Sequence, residues 1–534
     1  MRKSTRKNLL IAGSYAVVMI AGMIIGPKFF AEDQNRRNGT FLPFFNGRSD
    51  KLSSVLKLVD DRYVDDLGAD SLREIAINEI LTHLDPHTAY LPPVEAKMLT
   101  EDLEGNFFGI GIEYFIVQDT ITVTAVNAGG PADQAGLHKG DQIVRINSKV
   151  VANNDISARQ VVKLMRGKKG TFVELTLKRG SETLVRRIKR DKITVSSIAA
   201  AYLIGGNAGY IKIDRFGART ADDFTAALRK LKKRGMKNLI LDLRGNGGGY
   251  LSAATALADH FLADKKLILY TEGAHEPRTD YFASAAGDFE QGGLAVLIDE
   301  NSASASEIVA GAIQDLDRGA IIGRRSFGKG LVQEQFDFGD GSALNLTIAR
   351  YYTPSGRSIQ KPYEKGNEEY FDELHQRFTS GEVTNGKHKD AAQVDKKRVF
   401  KTSRGKSVFG GGGITPDINI PLDTTAYTGF YRELYTSGTI NEFVYDFLIR
   451  DIDHAPLGRF IADFTISHQQ FQKLLAMAAS KNIKYTRTDV ALSQEELKHN
   501  LKALAAQYFY GDEGYFRVIN STDPAVEKAL LELE

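Results

Sequence analysis

Three stretches of this 534-residue chain carry residues whose types and spacing could do chemistry. In LAVLIDENSASASEIVAGAIQDLDRG (294–319) an apolar strand pattern ends at Asp299 and Glu300, and a run of small residues turns the chain. A helical pattern with Ile308, Val309, Ile313 and Leu316 on one face follows. A hydroxyl at such a strand-to-helix turn is exposed, and the helix N-terminus favours an oxyanion beside it. Ser302, Ser304 and Ser306 all qualify, and Ser304-Ala305-Ser306-Glu307 reads equally well as an S-x-x-E capping box. The second stretch, GRRSFGKGLVQEQFDF (323–338), holds Lys329 between Gly328 and Gly330. It is nearly a phosphate-binding P-loop. However, Gly330 stands where a magnesium-binding Ser or Thr belongs, and a strand pattern follows instead of a helix. A lysine shielded from water has a lowered pKa and can act as a base, whereas a solvated loop lysine cannot. The third, LILDLRGNGGGYLSAATALADHF (239–261), ends a strand in Gly245-Asn246-Gly247-Gly248-Gly249, whose backbone N–H groups can converge on an anion. It is not a dinucleotide fingerprint, because Tyr250 stands where the last glycine belongs.

The rest of the composition removes other chemistries. There are no cysteines, which excludes disulfides, thiolate nucleophiles and Cys-ligated metals. His83 and His87 are four apart, but Pro86 between them breaks the helix that would align them on a metal, and no H-E-x-x-H occurs. No metal or cofactor is expected. Lys plus Arg is 69 against 67 Asp plus Glu, which is not the bulk charge of a nucleic-acid binder. Arg2, Lys3, Arg6 and Lys7 precede the charge-free run 9–26. At ~1.5 Å per residue that run matches a bilayer core, so an uncleaved single-pass anchor is expected, with a cleaved signal as the rival. The catalytic part would then lie on the periplasmic or extracellular side of an inner membrane.

The elements that must position these residues follow from periodicity. Residues 51–104 show 3–4 spacing of apolar residues and read as helical. Short alternating strands (ITVTAV, QIVRIN, FVELTLK, TLVRRIK) and one helical piece, ARQVVKLM, fill 106–190. Strands and helices alternate over 209–360, which implies an α/β layer on a central sheet. Residues 361–410 are polar without clear periodicity, and 427–534 read as largely helical.

FFGIGIEYFIVQDTITVTAV (107–126) followed by GGPADQAGLHKGDQIVRINSKVV (129–151) resembles a PDZ domain. In such a domain the N–H groups of Phe108, Gly109, Ile110 and Gly111 would hold a chain-terminal carboxylate, beside a pocket walled by a helix near 158–166. With LTHLDPHTAYL, LILDLRGNGGG, ENSASASEIVAGAIQD, SFGKGLVQ, ARYYTPSGRSIQ and GGITPDI in this order, residues 51–425 resemble the C-terminal-processing (tail-specific) serine peptidases. The resemblance implies an α/β multidomain protein: a crotonase/ClpP-like peptidase core with an inserted PDZ domain, an N-terminal helical segment and a helical C-terminal region. It implies a Ser/Lys dyad in which Ser304 is the nucleophile, Lys329 the base and Gln333 the support of the lysine. The oxyanion donors would be the N–H of Ala305 and one from the glycine loop, Gly247 or Gly248. The expected layout is an anchor or signal (1–30), a linker (31–50), the helical segment (51–105), the PDZ domain (106–190), the core (191–360), a basic insertion (361–410), a return to the core (411–426) and the helical region (427–534). The insertion departs from the family pattern. Its 385–406 part carries eight Lys/Arg against Asp390 and Asp395, which fits a solvated loop or a contact with an anionic polymer or lipid. Expected partners are protein C-termini as substrates and the membrane, with a homo-oligomer or adaptor possible and no nucleic acid. The competing functional class is a PDZ-bearing scaffold with an inactive peptidase fold.

Overall fold

The computed structural model describes residues 51–534 except 66–68, 286, 387–398 and 453–454. The expected membrane segment 9–26 and the linker lie outside these residues, as does most of the basic cluster. Among the described residues no helix is long and apolar enough to cross a membrane. The longest, Arg487–Ile519, has 33 residues but is interrupted by Glu495, Glu496, Lys498 and Lys502. The expectation of a single-pass anchor and an envelope-facing catalytic part is therefore corrected: the structure gives it no support.

The chain divides into two units, 1–76 and 77–534. The first holds helix Lys51–Arg62 and the start of helix Ala69–Thr82. Among its described residues the second is built on two six-stranded sheets, one of five strands and two short two-stranded ladders.

The central sheet has six strands in the order Ile198–Ile204, Ala208–Ile213, Asn238–Asp242, Leu294–Ile298, Ala320–Gly323 and Ile418–Asn419. The first pair is antiparallel and all later pairs are parallel. Parallel strands covered on both faces read as continuous apolar runs, which is why LILDL and LAVLI show no alternation. Leu239, Leu241, Val296 and Ile298 face helices Thr220–Lys233, Leu251–Asp259 and Ala305–Asp315. Ile240, Ala295, Leu297, Tyr202 and Tyr210 face the opposite way, onto Ala525, Val526 and Ala529 of helix Pro524–Glu532. A second sheet joins Ala89–Leu91, Ala343–Tyr352, Leu267–Glu272 and Thr279–Phe282, with Leu331–Asp337 also paired to Ala343–Tyr352. It carries Gln333 at the edge of the site.

Between 106 and 194 the chain leaves the core and returns. Asn106–Gly109 pairs antiparallel with Asp191–Thr194, so the outgoing and returning strands are neighbours. The segment they bracket is an antiparallel sheet, Ile112–Val117, Thr120–Val126, Gln142–Ile146, Phe172–Arg179 and Glu182–Lys189, with helix Ala158–Met165 against it. Its inward residues Ile121, Val123, Ile143, Val173, Leu175 and Leu177 are fully buried. The C-terminal helices from Gly429–Thr436 to Arg487–Ile519 enclose a separate apolar core around Phe430, Phe443, Phe471, Leu474, Leu497 and Leu501.

Two elements differ from the sequence expectation. Ala89–Leu91 is an edge strand inside the stretch read as helical. Three residues are too few to show a period of two, and the strand is fixed by the Asp85 carboxylate, which accepts from the His87 and Thr88 N–H groups (2.9 and 3.1 Å) and the Thr88 hydroxyl (2.6 Å). Asn367–Thr379 is a helix inside the stretch read as aperiodic. Its buried side is made of Tyr370 and Arg377, and a charged residue on the inner face erases the apolar stripe that periodicity detects.

Helix Pro524–Glu532 should therefore be part of the core. Val526→Ala should cost about 1.5–3 kcal/mol by loss of transfer energy and cavity formation, read as a lower urea midpoint at unchanged slope. A midpoint equal to that of the parent chain would show that this helix does not cover the sheet.

Candidate active site

Ser304 sits at the N-cap of helix Ala305–Asp315 with φ 53° and ψ −110°, a left-handed conformation that a side-chain-bearing residue adopts only when its surroundings impose it. Three contacts do so. The Glu307 carboxylate accepts from the Ser304 N–H at 2.8 Å, and the Ser304 carbonyl accepts from the Ile308 N–H at 2.9 Å and the Tyr351 hydroxyl at 3.2 Å. The neighbouring serines are otherwise engaged. Ser302 is fully buried, donating to the Leu243 carbonyl at 2.9 Å, and Ser306 is fully buried, donating to the Asn246 carbonyl at 2.8 Å. Only Ser304 of the three lines the adjoining cleft, a space of about 630 Å³ that also takes in Gly247, Gly248, Gly249, Leu331, Gln333, Tyr351 and Lys329.

The glycine loop is laced to this turn. The Asn246 carbonyl accepts from the Ala303 N–H at 3.0 Å, and the Asn246 side chain donates to the Ile213 carbonyl at 2.9 Å. Gly248 has φ 105°, and a Cβ there would lie 2.9 Å from both the Ala303 oxygen and the Ser304 Cβ, so only glycine lets the loop approach this closely. The Gly248 N–H is turned inward to Asn246 Oδ1 at 2.9 Å. The N–H groups of Gly247 and Ala305 have no protein acceptor among the described residues.

Lys329 enters from the loop before Leu331–Asp337. Its Nζ donates to Gln333 Oε1 at 2.7 Å, and Gln333 Nε2 donates to the His87 carbonyl at 2.5 Å. Burial lowers the Lys329 pKa from its ordinary value, against the opposing charges of Asp85 and Glu307. Among the described residues no hydrogen bond joins Lys329 to Ser304. Both nevertheless line the same cleft.

The residue that fixes their relation is Glu307. It is fully buried, and besides Ser304 it accepts from the Lys329 N–H at 2.9 Å, the Gly328 N–H at 2.7 Å and the Ser326 hydroxyl at 2.5 Å. Burial pushes its pKa up to about 7, while the Ser326 hydroxyl and the three amides pull it back down. In the sequence Glu307 reads as the fourth residue of a capping box. That it also caps the lysine loop, 21 and 22 residues further on, has no signal at the level of spacing. His87 was equally hidden: it is half-buried, and desolvation followed by the Lys329 charge lowers its pKa to about 4.

In the 106–190 segment, Phe108 and Gly109 are taken into the ladder with Lys192 and Asp191. The N–H groups of Ile110 and Gly111 have no protein acceptor among the described residues. In helix Ala158–Met165, Val161 and Met165 point into the segment's own core, while Val162 and Leu164 are half-buried.

The model of Peptidase family S41 matches residues 207–366, a range that contains the glycine loop, Ser304, Glu307, Lys329 and Gln333. The chain belongs to peptidase family S41. A PDZ domain model matches 122–179, and a family of unknown function matches 430–511. The carboxy-terminal processing protease CtpB of Bacillus subtilis is 34% identical over 317 residues, 58% of this chain and 65% of that protein. A probable CtpA-like serine protease of Staphylococcus epidermidis is 34% identical over 58% of this chain and 62% of its own length. This S41 chain thus spans less than two thirds of the length of these curated relatives. The solved photosystem II D1 C-terminal processing protease is 30% identical, covering 58% of this chain and 89% of that one at a TM-score of 0.33.

The Glu307 bridge predicts a pH signature. Its folded pKa of about 7 lies above the ordinary 4.5, so its contribution to stability is fully present below about 4.5 and is lost as pH rises through about 7. The melting temperature of the parent chain relative to Glu307→Gln should therefore fall between pH 5 and pH 8.5, with an energy on the order of 3 kcal/mol as an upper bound. A difference that stays constant across this range would mean that Glu307 is not the titrating group.

Proposed function

We propose that this chain is a serine endopeptidase with a Ser/Lys dyad that recognises exposed C-terminal tails and cleaves near them. The observation that carries the reading is the Glu307 carboxylate. It accepts at once from the N–H of the strained cleft serine and from the N–H of the desolvated lysine. In this reading the 191–360 core has a crotonase/ClpP-like fold, 51–105 is its N-terminal helical segment, 106–190 is the PDZ domain, 361–410 is an insertion with 411–426 returning to the core, and 427–534 is an additional helical region.

The chemistry follows from the groups in place. Neutral Lys329 takes the proton of the Ser304 hydroxyl as Oγ bonds to the scissile carbonyl carbon. The carbonyl oxygen takes up the electron pair and is held by the N–H groups of Ala305 and Gly247. Collapse expels the amine of the new N-terminus, which takes its proton from the Lys329 ammonium. Water, deprotonated by Lys329, then releases the acyl group and restores the Ser304 hydroxyl. Gln333 accepts from Nζ and fixes where the lysine lone pair points. The Ser304–Lys329 hydrogen bond forms as substrate closes the site, since such contacts are commonly long before substrate binds. For tail recognition, the N–H groups of Ile110 and Gly111 hold the terminal carboxylate and the peptide adds as a strand beside helix Ala158–Met165.

Two outcomes are expected. Ser304→Ala should abolish peptide cleavage and labelling by a fluorophosphonate, and Lys329→Arg should do the same, because a guanidinium does not deprotonate near neutral pH. The acylation rate of the parent chain should rise with pH through the lowered Lys329 pKa. Full activity in Lys329→Arg would falsify the dyad, and a folded parent chain unlabelled at Ser304 would favour the inactive scaffold.

Amidating the C-terminus of a peptide removes the charge the loop holds. Its affinity should drop by about 1.5–3 kcal/mol, the worth of hydrogen bonds to a charged group. Equal binding of free and amidated peptides in a titration would rule out carboxylate reading.

A further inference from the structure

We infer that Tyr370, carried by the helix Asn367–Thr379 of the insertion, is a positioning residue for the lysine base. The inference rests on the peptidase reading above and adds to it a part of the chain that the resemblance leaves without a role. Two hydrogen-bonded routes run from the Tyr370 hydroxyl to Lys329. In the first, the hydroxyl meets His87 Nε2 at 2.8 Å, the His87 carbonyl accepts from Gln333 Nε2 at 2.5 Å, and Gln333 Oε1 accepts from Lys329 Nζ at 2.7 Å. In the second, Gln360 Nε2 donates to the Tyr370 hydroxyl at 3.4 Å while Gln360 Oε1 accepts from the N–H of Gly330, the residue after the lysine, at 2.7 Å.

Burial keeps the tyrosine a phenol and keeps the His87 ring neutral, so this is a bond between two uncharged groups whose direction follows the His87 tautomer. His87 is thus held at both ends. Its N–H donates to Asp85 Oδ1, its ring is wedged edge-on among Phe327, Tyr370 and Phe371, and the carbonyl between them is aimed at Gln333.

The helix that carries Tyr370 is itself fastened to the lysine loop. Arg377 donates to the Ser326 carbonyl at 3.1 Å and the Arg325 carbonyl at 2.5 Å, and the Arg325 guanidinium pairs with Glu373 at 3.0 Å and Glu382 at 2.7 Å. Lys361 lies over the faces of Phe327 and Tyr370 and pairs with Glu373 at 3.1 Å. A helix held only for stability would not need its one buried hydroxyl turned toward the support of the base.

The consequence is a defined effect on the base. Without the hydroxyl, His87 Nε2 loses its partner, the ring is free to turn, and water reaches the space beside Gln333 and Lys329. The charged groups facing this space are Asp85 from the turn before Ala89–Leu91, Glu307 from helix Ala305–Asp315, and Lys361, which faces His87 from the insertion. None of them is removed by Tyr370→Phe. What changes is the shielding of Lys329, so its pKa moves up toward the ordinary lysine value.

The test is the rate of fluorophosphonate acylation at Ser304 and of peptide hydrolysis from pH 6 to 10, on the full chain and on Tyr370→Phe. The variant should show kcat lower by about tenfold at neutral pH, the rate equivalent of one neutral hydrogen bond, with KM unchanged. Its rising limb should be displaced upward by about half a unit to one unit. His87→Phe, which fills the ring but removes Nε2, should displace the limb in the same direction. Adding Tyr370→Phe to Gln333→Ala should cost less than it costs the parent chain. The inference is overturned if Tyr370→Phe superimposes on the parent profile, if activity falls equally at every pH together with melting temperature, or if the two substitutions are additive. A parent chain that is not labelled at Ser304 overturns the peptidase reading itself and is distinguishable from all of these.

Discussion

The Glu307 carboxylate is the constraint on which the site depends. Two loops that the chain reaches at 304 and 328–329 have backbone N–H groups without partners in any sheet or helix, and one buried side chain accepts from both. A buried carboxylate is costly unless its oxygens are filled. Four donors fill them here, and three of the four are amides that have no other acceptor among the described residues. The arrangement is mutual: the loops satisfy the carboxylate, and the carboxylate sets their spacing. It also holds Ser304 in a backbone conformation that would otherwise relax.

The lysine is tuned by the same economy of buried polar groups. Lys329 is surrounded by Asp85 and Glu307, whose charges favour its protonated form, yet burial outweighs them and its pKa is lowered. Among the described residues its side-chain acceptor is the neutral Gln333 and not a carboxylate. A carboxylate in that place would stabilise the ammonium and work against the base proposed for Lys329. The glutamine supplies direction without charge.

Behind the glycine loop the charge pattern is the reverse. Asp242 is buried, which pushes its pKa up, but the Arg244 and Lys212 charges outweigh this and hold it at about 2. Arg244 reaches past it to Asp523 at 2.6 Å, just ahead of the helix that covers the far face of the sheet. The strand end that launches the loop is thereby pinned from the C-terminal region. The same region reaches the 106–190 segment: Phe115 packs on Tyr445, and Gln118 donates to Glu442 at 2.6 Å. Between its two sets of contacts the long helix breaks at Gly511, with φ 70°.

The sequence by itself determined the strands LILDL and LAVLI, the turn at Ser304, the glycine loop and the alternating strands of 106–190, because each is a local pattern of period, cap or glycine. It also determined the family, through motifs whose order is more specific than any one of them. The resemblance singles out Ser304 among the three serines, and tertiary structure adds a physical reason, since Ser302 and Ser306 are buried against the Leu243 and Asn246 carbonyls of another loop. The choice between a solvated and a shielded Lys329 was decided by tertiary structure, through walls that come from residues 85–88, 307 and 333. The helix Asn367–Thr379 escaped the sequence altogether. Its inner face is polar because it packs against charged and hydrogen-bonding groups of the lysine loop, and periodicity registers only oil against water. Hydrogen-bond partners distant in the chain leave no spacing to read, so the groups around Lys329 became visible only when the fold brought them together.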